Sequence, residues 1–215
     1  MNTDKRFEIV YIEDELPIGE LDNVLWQHGR EIEVCEYWTG DLAPKNRRFS
    51  VRGLWSNNAL FIRFEAAIGE AMIVNETPNL AEKTIGLWDR DVCEVFIAPN
   101  AQFTNKYFEF EIAPTGEWID LALEVTHDGR KTDLDFASGM TSAVKTEYEK
   151  VVMAVRIPFS ALGKTPKNGE VWLGNLFRCV GTDPNRGYLA WMPTMTEIPN
   201  FHVPERFGQF AFTRQ

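Results

Sequence analysis

Apolar residues return at every second position along most of this chain, the period of a half-buried β-strand and not of a helix. Phe49, Val51, Gly53 and Trp55 alternate with Ser50, Arg52 and Leu54. Ser56-Asn57-Asn58 then turns the chain into Leu60, Ile62, Phe64 and Ala66, which alternate with Arg63 and Glu65. That is a hairpin with one dry and one wetter face. Val92 to Ile97 reads as a further strand, closed by Pro99-Asn100. From Tyr107 to Ile112, Phe108, Phe110 and Ile112 fall on one side and Tyr107, Glu109 and Glu111 on the other. Pro114-Thr115-Gly116 leads into Trp118 to Glu124. Strands are also expected from Val144 through Ile157, over Val171 to Val180, over Gly187 to Trp191 and over Phe207 to Phe212. Pro158 to Leu162 predicts a single helical turn, and the polar stretch Thr126 to Gly139 predicts a loop. No helix of three turns is indicated. About ten short strands with turn chemistry between them predict an all-β, antiparallel β-sandwich. With no linker composition and no internal repeat, residues 1–215 read as one domain.

Charge and composition narrow the partners. The net formal charge is -10, from 22 basic and 32 acidic side chains, the wrong sign for a phosphate backbone or an anionic lipid surface. Neither nucleic acid nor a membrane is expected as a partner, a neutral ligand remains open, and no protein partner is indicated. No apolar run approaches the roughly 20 residues of a membrane span. Met1-Asn2-Thr3-Asp4-Lys5-Arg6 is followed by an apolar run already broken at Glu8, which is not a signal peptide. The chain as given therefore reads as cytoplasmic, or as periplasmic or extracellular if a leader has been removed. Cys35, Cys93 and Cys179 are odd in number and scattered, so no disulfide framework is expected. His28, His127 and His202 are scattered too, which disfavours a histidine metal site. No cofactor is expected. A structural Ca²⁺ stays open at two oxygen-rich loops, Asn75-Glu76-Thr77 and Thr182-Asp183-Pro184-Asn185. Glycine-rich phosphate loops and nucleophile elbows are both missing from the sequence.

Seven Trp and fifteen Phe raise the question of which rings are not core. Trp88 stands at the end of a polar loop just before a strand, with Asp89, Asp91 and Glu94 within six residues. An indole face packs on apolar C–H surface while carboxylates accept hydrogen bonds from hydroxyl groups, so the group suits a neutral, hydroxylated ligand. The same Trp could equally plug the sandwich end beside solvated acids. Phe201 lies in a Pro-bounded loop, as a core lid or a ligand platform. Glu109 and Glu111 could serve as an acid–base pair, but at i and i+2 they read first as the solvated outer face of a sheet. Asn175 and Arg178 interrupt an apolar strand, and Arg178 could orient the site through an acid or be structural.

Trp88-x-x-Asp91-x-x-Glu94-Val95-Phe96-Ile97 and Tyr107-Phe108-x-Phe110-Glu111-Ile112-x-Pro114-x-Gly116 resemble the family 9 carbohydrate-binding modules and the related DOMON-like sandwiches. Arg52-Gly53-Leu54-Trp55, Ile157-Pro158-Phe159, Asn175-Leu176-Phe177-Arg178, Leu189-Ala190-Trp191 and the ending Phe201-His202-x-Pro204-Glu205-Arg206-Phe207-Gly208 follow in the same order, over about residues 15 to 212. The resemblance implies a β-sandwich, jelly-roll or immunoglobulin-like, and a non-catalytic protein that holds a neutral mono- or oligosaccharide, such as a glucan or xylan chain end. It implies Trp88 and Phe201 as two clamp rings and Glu94 as the carboxylate on sugar hydroxyls; beside these, the residues themselves offer Asp91 and Glu111 as further candidate acceptors. Glu111 and Ala113 depart from the Arg and Asn of the family pattern, and Phe201 from its Trp. The resemblance also implies that such modules are appended to secreted glycosidases. Two alternatives stand beside this reading. One is a glycoside-active enzyme using Glu94 with Glu109 or Glu111. The other is a DOMON-like haem or interaction domain, for which Met72, Met140, Met192, Met195 and His202 are the conceivable ligands.

Overall fold

The computed structural model describes residues 5–102 and 104–214. The first four residues of the signal-peptide reading, Met1-Asn2-Thr3-Asp4, lie outside the described residues. Thirteen strands form one curled sheet that folds over on itself into two layers.

The first layer contains β5 (Val92–Ala98), β6 (Lys106–Ile112), β7 (Trp118–Thr126) and β8 (Gly129–Asp133), each antiparallel to the next. The second contains β1 (Arg6–Tyr11), β2 (Ile32–Val34), β3 (Phe49–Trp55), β4 (Ala59–Ala67), β9 (Thr141–Thr146), β10 (Lys150–Pro158) and β13 (Gly208–Thr213). The long strand β11 (Val171–Val180) joins them. One of its edges pairs with β5, and the other pairs first with β13 and then with β12 (Gly187–Ala190). The strand order is β8-β7-β6-β5-β11-β13-β1-β3-β4-β10-β9. Close approach is needed where β11 passes from one layer to the other. A Cβ on Gly174 would stand 2.5 Å from the Phe96 carbonyl oxygen and 2.6 Å from the Phe210 ring.

Two expectations need correction. The sheet is mixed, not antiparallel: β1 runs parallel to both its neighbours, β13 and β3. Alternation reports a strand's two faces but not its direction, and β1 meets its partners only after long excursions of the chain. The stretch Thr126 to Gly139 is not all loop, because it contains β8. That strand is an exposed edge and needs no apolar face, so it leaves no alternating pattern. The other expected elements form, including the helical turn α1 (Phe159–Leu162). The expected turns after Pro114 and Pro166 close on Gly116 and Gly169, both at positive φ.

Three apolar clusters follow from strand parity. Phe7, Ile9, Val51, Ile62, Phe64, Val95, Phe110, Trp172, Leu176 and Phe210 fill the space between the layers. Val10, Leu54, Phe61 and Val152 lie on the outer face of the second layer, where the N-terminal segment covers them with Leu16, Leu21 and Trp26. Phe96, Tyr107, Leu121, Leu123, Phe177 and Cys179 lie on the outer face of the first layer, with Phe201 and Phe207 packed onto them. Each such ring withdrawn from water contributes roughly 1.5–3 kcal/mol.

Candidate functional site: an acidic cleft with an indole at its rim

The outer face of the first layer is only partly covered. Between the covering segment and the strands a cleft of about 390 Å³ remains, within the range of small-ligand pockets. Glu94 and Glu109 are on its floor, Trp88 and Asp89 on one wall, Arg130 on another, and Asn200, Phe201 and His202 on the covering segment.

Backbone register assembles the floor. Glu94 on β5 is directly opposite Glu111 on β6, and Glu109 is two residues along on the same face. One carboxylate oxygen from each of the three lies within 4.8 Å of the others. The expectation that Tyr107, Glu109 and Glu111 form a solvated outer face is therefore wrong. All three are buried, Glu111 completely. That face is roofed by a segment about ninety residues further along the chain, which alternation within β6 cannot reveal.

Burial pushes all three carboxyls upward, because low-dielectric surroundings disfavour the charged form. The Glu109 charge adds to the rise at Glu94, and Glu94 and Glu109 together add to the rise at Glu111. At Glu109 a hydrogen bond with Glu111 and the nearby Arg130 oppose the rise. Glu94 Oε1 accepts from the Cys179 thiol at 3.6 Å, and burial keeps that thiol protonated. His202 has its Nδ1 3.0 Å from the Tyr107 hydroxyl and 4.0 Å from Glu109 Oε2. Burial and then Arg130 drive the ring's pKa down to about 3. It is thus neutral at physiological pH, and its contact with Glu109 is not an ion pair.

Trp88 sits in a 3-10 turn, Leu87–Asp89, with Leu87 buried beneath it and the indole 38% exposed. The turn is held rigidly. Arg186 donates to the carbonyls of Trp88 and Arg90 at 3.2 and 2.6 Å. Arg90 pairs with buried Glu117 at 2.8 Å. Asp91 accepts from the backbone N–H groups of Ile73 at 3.0 Å and Gly181 at 3.3 Å. Burial raises the Asp91 carboxyl despite those two bonds. Asp91 thus fastens the loop that carries Trp88 and is not among the cleft-lining residues.

Of the six residues singled out from the sequence, the structure brings Trp88, Glu94 and Phe201 to the cleft, with Glu111 behind its floor. Phe201 is only 8% exposed. Its ring lies flat on Phe177, with centroids 4.0 Å apart and planes at 10°, so one face is already occupied. Arg178 points the other way. It shares a face with Leu176 and Val180, between the layers, and donates to the carbonyls of Arg47, Arg48 and Ala67. Asn175 is also structural, tying Met192 through both its amide nitrogen and its oxygen. Met140 and Met192 pack in the inter-layer core, across the sheet from His202. Arg130 and Tyr188 line the site without any sequence signal, and Asn200 was marked only as part of the Pro-bounded loop around Phe201. The Asn-Phe-His run beside two prolines was the only signal for that wall.

No helix among the described residues is long and apolar enough to cross a membrane. No curated protein matches the sequence. Solved structures share the fold, among them the three that follow. A presumed carbohydrate-binding protein from Bacteroides uniformis superposes with a TM-score of 0.76 at 17% identity, over 97% of this chain and 99% of the other. A family 9 carbohydrate-binding module from Caldicellulosiruptor kristjanssonii in complex with cellotriose gives 0.65 at 16% identity, over 98% and 95%. The same organism's family 9 module in complex with glucose gives 0.62 at 16% identity, over 98% and 97%. A family model described as "Carbohydrate family 9 binding domain-like" matches residues 19–214. With strands, order of motifs and family model in agreement, this chain belongs to the carbohydrate family 9 binding domain-like family.

Proposed function

We propose that this chain is a non-catalytic carbohydrate-binding protein whose cleft takes a neutral sugar, a glucan or xylan chain end or a small saccharide. The observation that carries the reading is the half-open Trp88 indole beside Glu94 and Glu109 in one cleft. A pyranose presents an apolar C–H face and a rim of hydroxyls. The indole packs on the first, and the carboxyl groups exchange hydrogen bonds with the second. Membership of the family supports the ligand class, as do the fold relatives that hold cellotriose and glucose. Stacking rests chiefly on Trp88. Phe201 closes the wall with one face on Phe177 and leaves little open surface.

The acids favour holding over hydrolysis. A glycosidase pair flanks the scissile bond from two sides, whereas Glu94, Glu109 and Glu111 stand side by side on adjacent strands of one floor. One or two stacking contacts at about 1 kcal/mol beyond area burial, with a few partly compensated hydrogen bonds, give a dissociation constant of about 1 µM to 1 mM. Calorimetric titration with glucose, xylose, cellotriose and xylotriose tests this. Saturable heat with at least one sugar, without its hydrolysis, is expected. No heat with any of them, or turnover of the trisaccharides, contradicts it.

A further inference from the structure

We propose that Glu94, Glu109 and Glu111 hold a divalent cation of the calcium class on the floor of the cleft. Register places Glu94 opposite Glu111, with Glu109 on the same face. Like charges directly across a strand pair destabilise a sheet, and here the whole set is removed from water. Apart from the hydrogen bond that Glu109 and Glu111 share with each other, both carboxylate oxygens of Glu111 and Oε2 of Glu109 are buried with no partner outside the cluster. Among the described residues no Lys or Arg forms an ion pair with any of the three. Such unpaired groups cost far more than paired ones unless something else satisfies them.

A cation fits the space. The three closest oxygens lie within 4.8 Å of one another. Two oxygens on opposite sides of a Ca²⁺, at about 2.4 Å each, are also about 4.8 Å apart. Three carboxylates can supply up to six hard oxygen ligands, which favours Ca²⁺ over softer metals. Glu94 and Glu109 open onto the cleft, giving an entry path and room for water ligands, while Glu111 closes the site from behind. The site is distinct from the loops at Asn75 and Asp183. It goes beyond sugar binding and does not depend on it.

Calcium chloride alone, titrated into chelator-treated wild-type protein in a calorimeter at neutral pH, tests the proposal. One site per chain is expected, with a rise in melting temperature on saturation. Glu111→Gln keeps the shape and removes one buried charge. It is expected to weaken calcium binding by about 30-fold or more while the protein stays folded. Glu109→Gln, at the open side, provides the same reading if Glu111→Gln does not fold. Asp183→Asn is expected to bind calcium as the wild type does. The proposal is overturned if the wild type shows neither heat nor thermal shift at millimolar calcium. It is equally overturned if binding survives the glutamine substitutions or is lost in Asp183→Asn. Because no sugar is present, failure here leaves the sugar reading intact.

Discussion

Replacing Arg178 by Met separates a structural role from a binding one. The guanidinium donates to the carbonyls of Arg47 at 2.7 Å, Arg48 at 3.1 Å and Ala67 at 2.6 Å. It thereby ties β11 of one layer to the β3–β4 side of the other. Methionine keeps much of the volume and removes every donor. All three carbonyls lose a charged donor, but the Arg48 carbonyl still accepts from the Ala67 N–H, so two are left wanting. At about 1–3 kcal/mol for each group left wanting, the gross loss is about 2–6 kcal/mol. Relief from burying a charge offsets part of it, leaving about 3 kcal/mol. For a chain of this length that lowers the melting temperature by about 6–12 °C. Urea unfolding and a thermal melt measure the loss, and titration of the folded variant measures sugar affinity. A large stability loss with affinity kept within about three-fold is expected. Unchanged stability together with lost affinity would refute the structural assignment and return Arg178 to the binding site.

Other substitutions check the frame around the cleft. Gly174→Ala must push against the Phe96 carbonyl and the Phe210 ring. It is expected to cost about 3 kcal/mol in urea unfolding, and a neutral result would mean β11 crosses between layers with more room than described. Asp91→Ala strips the acceptor from two backbone N–H groups. It is expected to destabilise by about 2 kcal/mol and to weaken sugar binding by displacing Trp88; stronger binding would contradict its anchoring role. At Glu170, burial pushes the carboxyl upward, but Lys164, the Trp172 indole N–H and the Lys167 N–H outweigh it and hold it below the usual range. Its contribution is therefore present above the ordinary carboxylate value and is lost as pH falls through the lowered one. The stability gap between wild type and Glu170→Gln is expected to shrink in acid, and a gap that widens in acid would reverse the sign.

Strand content was legible because alternation within each strand is a local property. Which face of a strand is covered is a tertiary property. Tyr107, Glu109 and Glu111 share a side in the sequence, but their roof is the segment carrying Phe201 and Phe207, whose docking no local pattern announces. Parity could have placed Arg178, since it alternates with Phe177 and Cys179, which share the cleft side with Glu94. Arg130 could not be found this way, because edge strand β8 carries no apolar face. Trp88 was legible only as one of two alternatives, since a large ring before a strand with acids in the next turn suits either a ligand platform at the rim or a plug for the sandwich end, and only the tertiary structure places it on the cleft.

Seven tryptophans make the central claim directly observable, since each indole N–H gives its own signal in a proton–nitrogen correlation spectrum. The Trp88 signal is identified by its loss in Trp88→Phe. During titration with glucose or cellotriose, the account predicts that this signal moves most and saturates with the calorimetric binding curve. Trp26, Trp55 and Trp172, buried in the cores, should stay nearly still. A Trp88 signal that does not move while sugar binds, or that moves less than a core indole, would contradict the placement of the sugar on Trp88.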